Sequence, residues 1–332
     1  MAKTHLRAAL LAAGLLLTAQ SQAATYGEQL QGFTYPFPLE HFAFRSQQQA
    51  LSMGYMDVHP DNPNGRTAVL MHGKNFCGAT WESTIRALTG AGYRVIAPDQ
   101  IGFCTSSKPA NYQYSFQQLA SNTNALLQKL GVEKAVIVGH STGGMLATRY
   151  ALMYPQQTEK LVLINPIGLE DWKAKGVPYR TVDQWYEREL KLSAQSVKAY
   201  EQKTYYVGRW KPEYDKWVDM LAGLNAGPGH QKVAWNSALI YDMIFTQPVY
   251  YEFSNLKVPA TLFIGTSDIT AIGSDIAPPE VKKRLGNYAV LGKEAAKRIP
   301  NATLVEYAGM GHAPQMQDPA KFNADLVRNL SQ

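Results

Sequence analysis

Cysteine is scarce: the 332-residue chain has two, Cys77 and Cys104. They form no C-x-x-C pair and have no accompanying histidine cluster, so the sequence offers a poor zinc site, and no metal is expected. No apolar run reaches the roughly 20 residues that a membrane-spanning helix needs, so no stable membrane anchor is expected. Dense Lys/Arg blocks interleaved with aromatics are also missing. The formal net charge of +6, from 32 basic and 26 acidic residues, is therefore dispersed, and nucleic acid is not an expected partner. The chain has no internal repeat and no low-complexity tract, which excludes solenoid and array architectures. A phosphate-binding G-x-x-x-x-G-K-[ST] loop is absent as well.

The N-terminus does carry a pattern. Lys3 and Arg7 precede an apolar run from Ala8 to Leu17, and Ser21-Gln22-Ala23 follows before Ala24. This is the layout of a removable export signal over residues 1–23, which predicts a periplasmic or secreted protein. Without Lys3 and Arg7, and with no acid in that segment, the formal charge falls from +6 to +4. Neither cysteine adjoins the end of the segment, so a lipid-anchored N-terminus is not expected. An oxidising compartment would favour pairing of the two cysteines.

The length allows one large domain with an elaboration, or two domains. Residues 25–48 read as a mixed, surface-wrapping stretch, followed by an early strand from Ala50 to Val58. His59 to Gly65 is rich in turn formers and should close a hairpin into the next strand. Strands are then expected at Thr67–Met71, Tyr93–Ala97, Lys134–Val138 and Leu161–Asn165, with helices near Trp81–Thr89, Ser115–Leu130 and Met145–Tyr154 between them. Such alternation implies an α/β fold, with a mostly parallel sheet covered by helices on both faces. From residue 166 to 255 the alternation stops, and a helical block holds five of the six tryptophans. It resumes with strands Ala260–Ile264 and Thr303–Tyr307 and helices Lys293–Ile299 and Pro319–Leu330. The expected organisation is thus a core of residues 24–165 and 256–332, interrupted by a helical insertion at 166–255.

Val138-Gly139-His140-Ser141-Thr142-Gly143-Gly144 sits where a buried strand meets a helix. A dinucleotide fingerprint would need glycine where Ser141 stands, so no cofactor is expected. The residues fit G-x-S-x-G, which exposes a serine on a sharp strand-to-helix turn and leaves the Thr142 amide free for a developing oxyanion. A serine hydroxyl needs a base, and the base needs an orienting acid. His312 follows the last expected strand, in Gly309-Met310-Gly311-His312, at the sheet edge that carries Ser141. Asp268 follows a strand at the same edge and leads as the acid, with Asp171 and Asp275 as rivals. Asp99 and Trp81 read as structural, tying down a turn and packing a helix start.

The stretches "MHGKNFCGATW", "APDQIGFCTSSKP", "GHSTGG", "GTSD" and "GMGHAP", in that order, resemble the capped serine hydrolases of the α/β-hydrolase superfamily. The likeness runs from about Phe42 to Leu330. It implies an eight-stranded, mostly parallel sheet with a helical lid inserted after the sixth strand, and a triad of Ser141, Asp268 and His312. It also implies an oxyanion hole built from the amides of Thr142 and Lys74, with Asn75 as the alternative to Lys74. Epoxide hydrolases and haloalkane dehalogenases carry aspartate where this chain has Ser141, and proline iminopeptidases have a tryptophan-containing elbow, so neither chemistry is expected. Two departures stand out: a long loop from Ile269 to Leu291, and Cys104 where relatives commonly have glycine. In the implied fold, the loops holding Cys77 and Cys104 leave neighbouring strands side by side, so a disulfide is expected between them. The expected activity is hydrolysis of a small-molecule ester, thioester or lactone through an acyl-serine. The alternatives are carbon–carbon bond hydrolysis by the same triad and a non-catalytic binding protein.

Overall fold

The computed structural model describes residues 24–331; the expected export signal at 1–23 lies outside them. Eight strands form one sheet in the order β1-β2-β4-β3-β5-β6-β7-β8. They are β1 Glu40–Ser46, β2 Gln49–Val58, β3 Thr67–Met71, β4 Arg94–Pro98, β5 Ala135–His140, β6 Thr158–Ile164, β7 Ala260–Gly265 and β8 Ala302–Tyr307. β1 and β2 are antiparallel to each other, β2 is antiparallel to β4, and every other pairing is parallel.

The inner parallel strands, β3 to β7, are largely buried because helices cover both faces. In β5 every residue is buried. Val136 and Val138 meet Ile85 and Leu88 of α1 (Glu82–Gly90) and Phe322 and Leu326 of α11 (Pro319–Leu330) in one core layer. Ile137, one residue out of phase, belongs to the opposite layer with Leu119 of α2 (Phe116–Lys129), Leu146 of α3 (Thr142–Met153) and Leu291 of α9 (Tyr288–Arg298). This is the two-residue period of a strand read on both sides.

Two sequence expectations need correction. Residues 25–48 do not only wrap the surface: they contain β1, which pairs with β2 from Glu40↔Tyr55 to Ser46↔Gln49. It was hard to see because an edge strand is half exposed, and Ser46 is its one buried residue. The turn from His59 to Gly65 does not close a hairpin, since β4 lies between β2 and β3. Asn64 N–H donates to the Gly92 carbonyl at 2.8 Å and Asn64 Nδ2 to that of Ala91 at 2.9 Å, pinning the connection to the turn before β4. Turn formers specify a reversal, not which strand will lie alongside.

Between β6 and β7 the chain leaves the sheet and forms α4 Val182–Glu189, α5 Ala194–Thr204, α6 Asp215–Ala226 and α7 His230–Thr246. Capping boxes at Thr181/Gln184 and Ser193/Ser196 start α4 and α5. Aromatic rings join these helices: Trp185 of α4 stacks on Tyr241 of α7 with centroids 4.3 Å apart, and Tyr206 stacks on Tyr214 at 3.7 Å. The long segment after β7 includes the short helix α8 Pro279–Lys282, and α10 Pro314–Gln317 precedes α11. No helix of the described residues is long and apolar enough to cross a membrane.

Candidate active site

Ser141 lies between the end of β5 and the first residue of α3, with φ 56° and ψ −121°. That positive φ is costly for a residue with a Cβ and persists only where the surroundings enforce it. The enforcement comes from close approach. A Cβ on Gly139 would lie 2.1 Å from the Gly143 carbonyl oxygen, and one on Gly143 would lie 2.1 Å from that of Met71. The glycines therefore let β5, α3 and the end of β3 converge beneath the serine.

The hydroxyl of Ser141 donates to His312 Nε2 across 2.8 Å, and His312 Nδ1–H donates to Asp268 Oδ2 across 2.6 Å. All three residues are buried. The Asp268 carboxylate accepts from four donors: His312 Nδ1, Asn165 Nδ2 at 2.9 Å, Thr270 N–H at 2.8 Å and Thr270 Oγ1 at 2.7 Å. A buried charge needs this degree of satisfaction. The rival acids lie elsewhere. Asp171 caps its own turn through Lys173 and Ala174 N–H and accepts from Tyr251, while Asp275 pairs with Arg180 at 2.8 Å.

Gly73 to Phe76 forms a turn closed by the Phe76 N–H on the Gly73 carbonyl at 3.1 Å. Lys74 and Asn75 occupy its centre. Both residues line the narrow pocket onto which Ser141, Thr142 and His312 open, together with Tyr205 and Tyr241. Thr142 heads α3, so its amide belongs to the positive end of a helix. Lys74 Nζ pairs with the buried Glu189 of α4 at 3.0 Å, and Asn75 Nδ2 donates to Tyr205 Oη at 2.9 Å. Burial pushes the Glu189 carboxyl up, but Lys74, Arg188 and Ser237 outweigh it and hold the group below its usual range.

The other histidines near the turn are supports. His140 Nε2–H donates to the His312 carbonyl at 2.8 Å, and its ring packs between Phe76 and His312. Burial lowers the His140 pKa well below its usual value, so the ring is neutral. His72 Nδ1–H donates to the Gly73 carbonyl, and its Nε2 accepts from Gln100 N–H at 3.1 Å. Asp99 ties its turn as expected, accepting from Gly78 N–H at 2.7 Å and Thr105 N–H at 3.1 Å. Trp81 is buried at the start of α1. Beyond β3 and β4, which pair in parallel, the sulfurs of Cys77 and Cys104 meet, with Cα atoms 6.0 Å apart. Cys104 has φ 38°, in the left-handed region that glycine adopts most readily.

Residues 68–319 match the family described as the alpha/beta hydrolase fold. The crystal structure of a probable hydrolytic enzyme from Pseudomonas aeruginosa PAO1 is 63% identical and superposes with a TM-score of 0.93, over 93% of this chain and 99% of that one. The chain belongs to the α/β-hydrolase fold family. Among curated relatives of this α/β hydrolase, a putative carbamate hydrolase from Serratia proteamaculans (strain 568) is 26% identical over 271 residues, 80% of this chain and 91% of that protein. An AB hydrolase superfamily protein of Bacillus subtilis (strain 168) is 39% identical over 103 residues, 31% of this chain and 36% of that protein, so that alignment spans about a third of it. The chain is an enzyme, a hydrolase of this family.

Sequence reading missed three groups around the site of this hydrolase. Asn165 has φ 36° and fixes both Asp268 and the Gly265 backbone, accepting from Gly265 N–H at 2.8 Å. In the sequence alone it reads only as a strand end. Thr270 was hidden in a loop. Glu189 was hidden in a polar helical run, and only its burial reveals its pairing with Lys74.

Proposed function

We propose that this α/β hydrolase cleaves a carboxylic ester, thioester or lactone through an acyl-serine intermediate. The reading rests on one observation: the buried, unbroken chain of hydrogen bonds Ser141–His312–Asp268, at 2.8 and 2.6 Å. Ser141 Oγ attacks the carbonyl carbon as its proton passes to His312 Nε2. Asp268 holds the imidazole in the tautomer that keeps Nε2 free, and stabilises the imidazolium that forms. The amides of Thr142 and Lys74 (or Asn75) receive the oxyanion. Collapse of the tetrahedral intermediate expels the alcohol, thiol or ring oxygen, which takes the proton from His312. Water then attacks the acyl-serine by the same steps.

The insertion at 166–255 serves as the lid. Tyr200 of α5, Tyr205 at its C-terminal cap and Tyr241 of α7 contribute to the pocket wall. A small apolar pocket with Phe76, Phe103, Met220, Leu224 and Ile240 adjoins the oxyanion turn and gives that side of the site an apolar wall. The N-terminal pattern and the meeting of Cys77 and Cys104 support an exported, disulfide-bonded protein.

The test combines a fluorophosphonate label with a panel of acyl esters. Ser141 becomes labelled and esters turn over, while Ser141→Ala loses both and keeps its fold. Labelling of Ser141 together with turnover of a vinylogous diketone and of no ester would move the protein to carbon–carbon bond hydrolysis. An unlabelled Ser141 with no turnover at all would make it a binding protein.

A further inference from the structure

A second cleft opens above the Ser141 pocket and shares Tyr200, Tyr241, Thr270 and Ile272 with it. Its walls combine α4, the C-terminal half of α5, α7 and the long segment after Asp268. Three cations line it, Arg188, Lys203 and Lys282, against one acid, Asp275. That acid is already engaged by Arg180 at 2.8 Å. Lys203 and Lys282 have no ion pair among the described residues and are exposed at the rim.

The inner cations are held apart from full neutralisation. Arg188 reaches Glu189 only at 3.4 Å, while Glu189 is shared with Lys74 at 3.0 Å and Ser237 at 2.5 Å. One carboxylate thus faces two cations. Arg180 and Arg188 flank the Trp185 ring, at 4.4 and 5.4 Å from its centroid. Nη1 of Arg180 is buried with no hydrogen-bond partner among the described residues. A cleft with surplus positive charge and aromatic walls attracts anions, and the Arg188 guanidinium in its lining offers them a planar fork of donors.

We propose that the substrate is an ester carrying an anionic group, carboxylate or phosphate, which lies in this cleft beside Arg188 while the scissile carbonyl sits at Ser141. The proposal rests on the ester-hydrolase reading above and adds the substrate class. Rim residues Lys203 and Lys282 draw the anion in, and Arg188 receives it.

The experiment compares kcat/KM for matched esters. Para-nitrophenyl hexanoate and para-nitrophenyl hemiadipate differ by a carboxylate on the acyl side. Pentyl acetate and its omega-carboxylate analogue differ in the same way on the alcohol side. The anionic member is preferred about tenfold in at least one pair, and the preference shrinks as salt rises. Arg188→Gln lowers the anionic-to-neutral ratio about tenfold, and Lys203→Gln, a change at the exposed rim, lowers it less. Adipate and hexyl phosphate, as competitors of the neutral ester, tell the two anions apart. Ratios near one in both pairs for the unmodified enzyme, or a ratio unmoved by Arg188→Gln, would overturn the proposal. Because neutral-ester turnover and Ser141 labelling are read in the same assay, failure of the ester-hydrolase reading is seen separately.

Discussion

The N–H of His312 donates to the carbonyl of Thr204 at 3.2 Å, so the residue assigned as the base hangs from the last turn of α5 in the insertion. On its other side the His312 carbonyl accepts from His140 at 2.8 Å. The insertion is therefore tied by backbone to the residue it neighbours in the site, and changes to it reach the imidazole through that bond.

Lys74 and Glu189 form a second link between insertion and core. Glu189→Gln leaves Lys74 half-buried without its carboxylate, and breaking a buried pair by removing one partner costs about 3 kcal/mol or more. A denaturant titration should show that loss. The kcat for a small neutral ester should fall with it, because the Lys74 amide sits in the proposed oxyanion turn. Unchanged stability and rate would show that the pair does not hold the turn.

Asn165 acts through Asp268. Asn165→Ala removes the 2.9 Å donor to the carboxylate and the bonds to Gly265. We expect kcat to drop roughly tenfold with KM little altered, since the loss falls on orientation of the imidazole rather than on substrate contact. Asp268→Asn should cost far more, on the order of 10⁴. A KM-only effect of Asn165→Ala would assign the residue to packing.

Glu201 of α5 is buried, with both carboxylate oxygens unpartnered among the described residues, and burial pushes its pKa up to about 8. Its folded pKa lies above the unfolded value, so the folded state binds the proton more tightly. Stability from this group is therefore complete in acid. It is lost as pH rises from the ordinary carboxylate range to about 8 and is level beyond that. Glu201→Gln cannot ionise. Thermal midpoints of enzyme and variant, followed from acid to mildly alkaline pH, should diverge over that window, with the variant gaining by up to a few kcal/mol. Parallel curves would show that Glu201 stays neutral or finds a partner.

Cys77 and Cys104 should be joined in protein recovered from an oxidising compartment, and non-reducing peptide mass spectrometry reads this directly. The bond would close a loop with sequence separation 27, and Cys104→Ser should lower stability by about 3 kcal/mol under oxidising conditions. Two free thiols per chain would refute the pairing.

By itself the sequence determined the alternating core, the insertion and the positions of Ser141, Asp268 and His312. Each of these is written in a local pattern: a buried run, a glycine-bounded turn, or a polar residue just past a strand. Tertiary structure decided the rest. β4 displaced β3 as the partner of β2, because neighbours in a sheet are chosen by the packing of whole strands and not by the turn between two of them. Asp268 meets Asn165 and His312 because it stands just past the end of β7, whereas Asp275, further along the same segment, pairs with Arg180, and Asp171 caps its own turn beyond β6. Asn165 and Asp268 are 103 positions apart and Lys74 and Glu189 are 115 apart, so no local pattern carries either pair. Such pairings exist only once burial makes an unpaired charge too costly to keep.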